Sequence, residues 1–105
     1  MNLKEIAEKG RIIEEEIGVD INAVLNKFTQ EFGEFNDAVQ KYRGIYCRQK
    51  NGDLEHIKEE AGDLMFNFIS ICNRLGINPD ELQNYAENTL KKFEERKEAY
   101  KQNRK

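Results

Sequence analysis

The chain has 105 residues, 35% of them charged, one proline and a net charge of −3. That composition favours helices with solvated outer faces over a β-sandwich, and its interleaved charges leave no basic stripe for a nucleic acid. No apolar run approaches the length of a membrane span.

The residues from Met1 to Lys9 are charged and amphipathic and lack the apolar core of a signal peptide. The expected setting is therefore cytoplasmic, with neither nucleic acid nor membrane as partner. The length suits a single domain over residues 1–105. So small a domain buries a modest core, so a core shared with a second copy is expected. Cys47 and Cys72 match no zinc or redox spacing. Cys72 lies on an apolar stripe and reads as a small hydrophobe.

Leu3, Ile6, Ile13 and Ile17 recur at helical spacing. Gly10 interrupts this segment and Gly18 ends it, so it reads as a weak first helix. Asp20 is placed to cap a second helix. Its stripe is Ile21, Val24, Phe28, Phe32, Phe35, Val39 and Tyr42, with Gly44 as the residue after its end. From Ile45 to Gly52 the periodicity lapses. Arg43, Tyr46, Arg48 and Lys50 cluster here, either as a solvated loop or as a basic lip over an anionic ligand.

Asp53 can cap a third helix, whose stripe runs from Leu54 through Ile57, Ala61, Leu64, Phe68, Ile71 and Cys72 to Leu75, before Gly76. Asn78-Pro79-Asp80-Glu81 is a helix-start signal with proline at the first helical position. The fourth helix is expected from Pro79 to Lys101, with Gln102 to Lys105 frayed. Three long helices and a short one with short connections predict an all-α, antiparallel four-helix-type bundle, completed by oligomerisation.

Two carboxylate pairs dominate the middle of the chain: Glu31 with Glu34, and Glu60 with Asp63. Side chains three apart share a helix face. With Glu31 at zero on a helical wheel, Val24 and Tyr42 fall at about +20° and Glu34 at about −60°. With Glu60 at zero, Ile71 falls at about +20° and Asp63 at about −60°. Each helix thus sets one carboxylate inside its apolar arc and one at the edge. Asn67 and His56 share the face of Glu60. The alternative is a pair of ordinary solvated faces, or carboxylates neutralised by lysine. Lys27 and Lys58 are nearby but read as lying on the wrong side to reach inward. Four converging carboxylates need a cation, and Mg²⁺ is the first candidate.

Gly33 and Gly62 each cost about 1 kcal/mol in a helix interior relative to alanine, and both face away from the carboxylates. On the third helix that outer face also carries Phe66 and Ile69, which predicts a second packing surface, against another subunit. On the fourth helix Asn88, Lys92 and Arg96 recur at i, i+4, i+8. Such a ladder is either a solvated edge or, beside an acidic metal site, a row of phosphate contacts.

Glu31-x-x-Glu34 followed by Glu60-x-x-Asp63 resembles the E-x-x-E…E-x-x-D signature of the MazG-like nucleoside triphosphate pyrophosphohydrolases, within the all-α NTP pyrophosphatase superfamily. The strings from Gln30 to Phe35 and from Glu59 to Leu64 fit it, both glycines included, and the likeness covers about Asp20 to Arg96. Asn88, Lys92 and Arg96 resemble the family's basic C-terminal ladder. Gln30 departs from the glutamate many members carry, and no tryptophan is present for base stacking; Tyr46, Phe35 or Tyr42 could take that place.

The resemblance implies hydrolysis of a (d)NTP between its α- and β-phosphates, giving a (d)NMP and pyrophosphate. It implies Mg²⁺, with Mn²⁺ as substitute, on Glu31, Glu34, Glu60 and Asp63, and Glu31 and Glu34 as the catalytic pair, with Glu34 holding or deprotonating the water. Asn67 would orient a carboxylate or touch the sugar, and Asn88, Lys92 and Arg96 would complete the substrate site. The partners implied are the nucleotide and further copies of the chain, as a homodimer or homotetramer. Narrower readings within the superfamily are a dUTPase, a dCTP pyrophosphatase or a phosphoribosyl-ATP pyrophosphatase. Outside it stand a non-catalytic metal-binding interaction module and a di-iron bundle. The last needs two Glu-x-x-His motifs, and His56 is the single histidine.

Overall fold

The computed structural model describes residues 1–44 and 53–103. The connection bearing Tyr46, Cys47, Arg48 and Lys50 lies outside the described residues. The described chain is helical: α1 (Leu3–Glu16), α2 (Ile21–Arg43), α3 (Leu54–Arg74), a 3₁₀ turn (Pro79–Glu81) and α4 (Leu82–Asn103).

The helix ends follow the local chemistry. Asp20 accepts a hydrogen bond from the Ala23 backbone N–H at 2.9 Å and Asp53 accepts one from His56 at 2.8 Å, so both aspartates satisfy a free donor of the first turn. Gly44 closes α2 in the left-handed region, at φ 76°, where a Cβ would be strained. At Asn78-Pro79 the start signal first makes a 3₁₀ turn, with Asn78 accepting from the Asp80 N–H at 3.0 Å. The α-helix proper begins three residues later than expected, at Leu82, and continues two residues past the expected end, to Asn103.

The centre of the fold is the α2–α3 pair. The Phe28 and Phe68 rings lie 6.1 Å apart, and Glu31 of α2 meets Glu60 and Asp63 of α3. Residue numbers rise on α2 as they fall on α3, so the two run antiparallel. Val24, Ala38 and Cys72 are buried on these helices. Burial also pushes the Cys72 thiol up, consistent with its packing role. Phe32, expected within the α2 stripe, is exposed. It lies about 100° round from Glu31, beyond the arc that α3 covers.

One expectation is corrected by α1. Gly10 does not break this helix, which runs unbroken and buries Gly10 together with Ala7. The outer face of α3 carrying Phe66 and Ile69 packs in part against α1 of the same chain, with Phe66 still 39% exposed. A Cβ on Gly10 would stand 2.7 Å from the tip of the Phe66 ring. Glycine is thus the residue that lets the two helices approach. Ile69 is buried, near Leu3 of α1.

The fourth helix stands apart. Every residue from 83 to 102 is exposed, and among the described residues α4 packs only onto the 3₁₀ turn before it. The radius of gyration, 17.5 Å, exceeds the roughly 13 Å of a compact chain near 100 residues. Within one chain, therefore, three helices pack and the fourth projects, leaving Leu90, Phe93 and Tyr100 in solvent.

The Gly10–Phe66 contact gives a signed prediction. Gly10→Ala should destabilise the protein by about 1 kcal/mol, because overpacking costs about 1–3 kcal/mol while helix propensity returns about 1. In a Phe66→Ala background the same substitution should become stabilising. Denaturant unfolding of the four proteins in the cycle measures the change of sign.

Candidate metal centre

Three of the four predicted carboxylates converge. One oxygen each from Glu31, Glu60 and Asp63 lies within 4.8 Å of the others. Glu31 is 5% exposed, the Glu60 side chain is 16% exposed, and Asp63 is open to solvent. This gradient follows the helical wheel: the first carboxylate of each pair enters the apolar arc and the second stays at its edge.

Glu34 is exposed, and its Oε1 accepts a hydrogen bond from Gln30 Nε2 at 3.0 Å. Its carboxylate still acts on the centre. The Glu60 carboxyl is pushed up from its ordinary value, first by burial and then by the negative charge of Glu34, with an opposing contribution from His56 and smaller upward ones from Glu31 and Asp63. Gln30, the position that departs from the family's usual glutamate, here holds Glu34 from one turn away.

Lys27 corrects the sequence reading. Its Nζ reaches Glu31 Oε1 at 3.2 Å. The i, i+4 spacing was the available signal, and a flexible stem carries the ammonium inward from a Cβ on the rim. Lys58 does stay outside, 3.9 Å from Glu55. His56 Nε2 lies 3.7 Å from Glu60 Oε1.

Neither cation satisfies the cluster. Glu31 Oε2 and Glu60 Oε2 are buried and have no hydrogen-bond partner. A buried, unpartnered carboxylate oxygen is costly unless a proton or a metal meets it. The donors are all carboxylate oxygens, the hard ligands that suit Mg²⁺ or Mn²⁺. Ligands of one Mg²⁺ stand about 3 Å apart when adjacent and about 4.2 Å apart when opposite, so side chains whose oxygens lie within 4.8 Å of one another must draw closer to share one ion. The residues present therefore fit a divalent cation.

Asn67 is one turn from Asp63 and donates Nδ2 to its carbonyl oxygen at 2.9 Å, placing its amide beside the cluster. Asn88, Lys92 and Arg96 all lie on exposed α4, and within one chain they are not brought to the carboxylates.

A helical pair that brings three carboxylates together defines an all-α domain with a candidate site for a divalent cation. The chain belongs to the MazG nucleotide pyrophosphohydrolase domain family, whose model matches residues 19–100. No curated relative and no solved structure matched the chain. The matched span starts at Val19 and includes α2, α3 and most of α4; no helix among the described residues is long and apolar enough to cross a membrane.

Because the native Glu60 carboxyl is raised, protonation is favoured by folding, and this stabilisation is lost as pH rises through the native value. In metal-free protein Glu60→Gln should therefore raise the melting temperature at pH 7. The gain should vanish below about pH 4.3, where Glu60 is protonated in the unfolded chain also. Adding Mg²⁺ should stabilise the parent protein more than the variant. Calorimetric melts across pH, with Mg²⁺ and with chelator, measure both effects.

Proposed function

We propose that this chain is a Mg²⁺-dependent pyrophosphohydrolase of nucleoside triphosphates, formed by one MazG-like domain over residues 1–105 and acting in the cytoplasm. The observation that carries the reading is the pair of buried, unpartnered oxygens on Glu31 and Glu60, in a chain of a nucleotide pyrophosphohydrolase family. Mg²⁺, or Mn²⁺ in its place, would be held by Glu31, Glu60 and Asp63, with Glu34 joining them once it leaves Gln30.

Bound metal supplies charge neutralisation of the phosphates and a lowered pKa for the attacking water. Glu34 is suited to orient that water and take its proton, since it stands outside the converging trio yet within electrostatic reach. Glu31 fixes the position of the centre from inside the core. A bond forms between the water oxygen and the α-phosphorus as the bond from that phosphorus to the bridging α,β-oxygen breaks. Pyrophosphate leaves, and a nucleoside monophosphate remains. Asn67 contacts the sugar or steadies Asp63.

The exposed apolar residues of α4 support assembly as a homodimer or homotetramer. A second copy covering Leu90, Phe93 and Tyr100 would complete the four-helix arrangement. The same docking would bring Asn88, Lys92 and Arg96 to the phosphates, each lost charged hydrogen bond costing about 1.5–3 kcal/mol of binding. Phe93→Glu should lower the mass measured by light scattering, and an unchanged mass would leave α4 without this role.

A panel of ribo- and deoxyribonucleoside triphosphates, with and without Mg²⁺, tests the reaction. The expected product is pyrophosphate, not orthophosphate, with release abolished by chelator and by Glu60→Gln. Stabilisation by Mg²⁺ without turnover of any nucleotide would instead favour the non-catalytic metal-binding module.

A further inference from the structure

A cleft of about 350 Å³ opens between α1, α2 and α3. Its walls include Glu14, Val19, Ala23, Lys27, Phe66 and Asn67. Two of these residues also touch the metal-binding set: Lys27 reaches Glu31, and Asn67 donates to the Asp63 backbone. Lys27 and Asn67 therefore link the cleft to the residues of the proposed metal site. Its volume falls within the range of about 300–1,000 Å³ common for small-molecule sites.

The far wall is unlike the rest. Val19, Ala23 and Phe66 are apolar, and Phe66 is wedged against Gly10, which fixes one edge of its ring. Among them stands Glu14, whose side chain is only 14% exposed. Its Oε1 accepts a hydrogen bond from Ser70 Oγ at 2.7 Å, and its Oε2 lies 3.6 Å from Arg74 Nη2. Arg74 is itself anchored, donating to the Val19 carbonyl at 2.7 Å. Glu14 is thus an immobilised carboxylate at the apolar end of a cleft. An ionised carboxylate accepts and never donates, and about four lone-pair positions are available to it. Ser70 and Arg74 leave part of that capacity open. Lys27 and Asn67, the donors among its walls, are already engaged, Lys27 with the Glu31 carboxylate and Asn67 with the Asp63 backbone carbonyl.

We propose that this cleft receives the base of the nucleotide and that Glu14 selects bases bearing an exocyclic amino group over uracil and thymine. The inference rests on the pyrophosphohydrolase reading for the identity of its ligand. Cytosine and uracil make the sharpest comparison. At ring position 4 cytosine offers an N–H donor, while uracil offers a carbonyl oxygen that would face the carboxylate acceptor to acceptor. A site built around a buried polar group rejects the partner that leaves it unpaired.

The test is calorimetric binding of the α,β-methylene analogues of dCTP and dUTP, with Mg²⁺, to the full chain. The parent protein should bind the dCTP analogue at least about 10-fold more tightly. Glu14→Gln, which can donate as well as accept, should bring the two affinities within about threefold. The ratio cancels any general loss of stability at the α1–α3 junction. Ala23→Leu fills the cleft from an exposed position away from Glu14, Ser70 and Arg74, so it should weaken both analogues at least about 10-fold with the fold intact. Equal affinities in the parent, a ratio preserved in Glu14→Gln, or binding unaffected by Ala23→Leu would each overturn the assignment. So would a parent protein that binds neither analogue. Selective binding with no turnover of dCTP would sink the pyrophosphohydrolase reading and leave the cleft assignment standing.

Discussion

Glu31 places a carboxylate in the packed seam between α2 and α3, and the candidate centre depends on the resulting conflict. An isolated charge there would be expelled or neutralised. Lys27 answers one of its oxygens, and the other is left buried without a partner. Glu60 meets it from the opposite helix in the same condition. The antiparallel α2–α3 pair therefore holds two groups that repel each other, and apolar packing around Val24, Phe28, Phe68 and Cys72 keeps them close. A divalent cation turns that repulsion into attraction, which is why the cluster reads as a binding site.

The α1–α3 junction is held by a different device. Gly10 allows backbone and aromatic ring to approach, and the Glu14–Ser70–Arg74 network crosses the contact. Such a network is strong only when all its members are present. Arg74 ties it to the Val19 carbonyl, and hence to the connection that leads into α2. The wall of the cleft and the start of the helix that carries Glu31 are thereby braced by one set of contacts. The Arg74 Nε is buried without a hydrogen-bond partner among the described residues.

α4 shows the reverse situation. It is amphipathic, but among the described residues it packs only onto the 3₁₀ turn at its start. A chain of this size has limited apolar surface to share among four helices. Three of them use the supply, and the fourth presents aromatic residues and a basic ladder outward.

Local order was legible from sequence. Asp20 and Asp53 as caps, Gly44 as a left-handed stop, and the burial of Glu31 against the exposure of Glu34 all follow from capping chemistry and a turn of about 100° per residue. These depend on residues within a turn or two of each other. The family-like pattern of carboxylates was legible for the same reason, since each pair lies on one helix face. Tertiary structure decided which faces meet. Phe66 and Ile69 announced a packing surface, but periodicity does not say whether α1 or a second copy covers it. Lys27 was misjudged because the position of its Cβ says little about where a long, flexible stem delivers its charge. Glu14 carries no local signal: it lies 56 residues from its hydrogen-bond partner Ser70, and only the packing of α1 onto α3 joins it to Ser70 and Arg74.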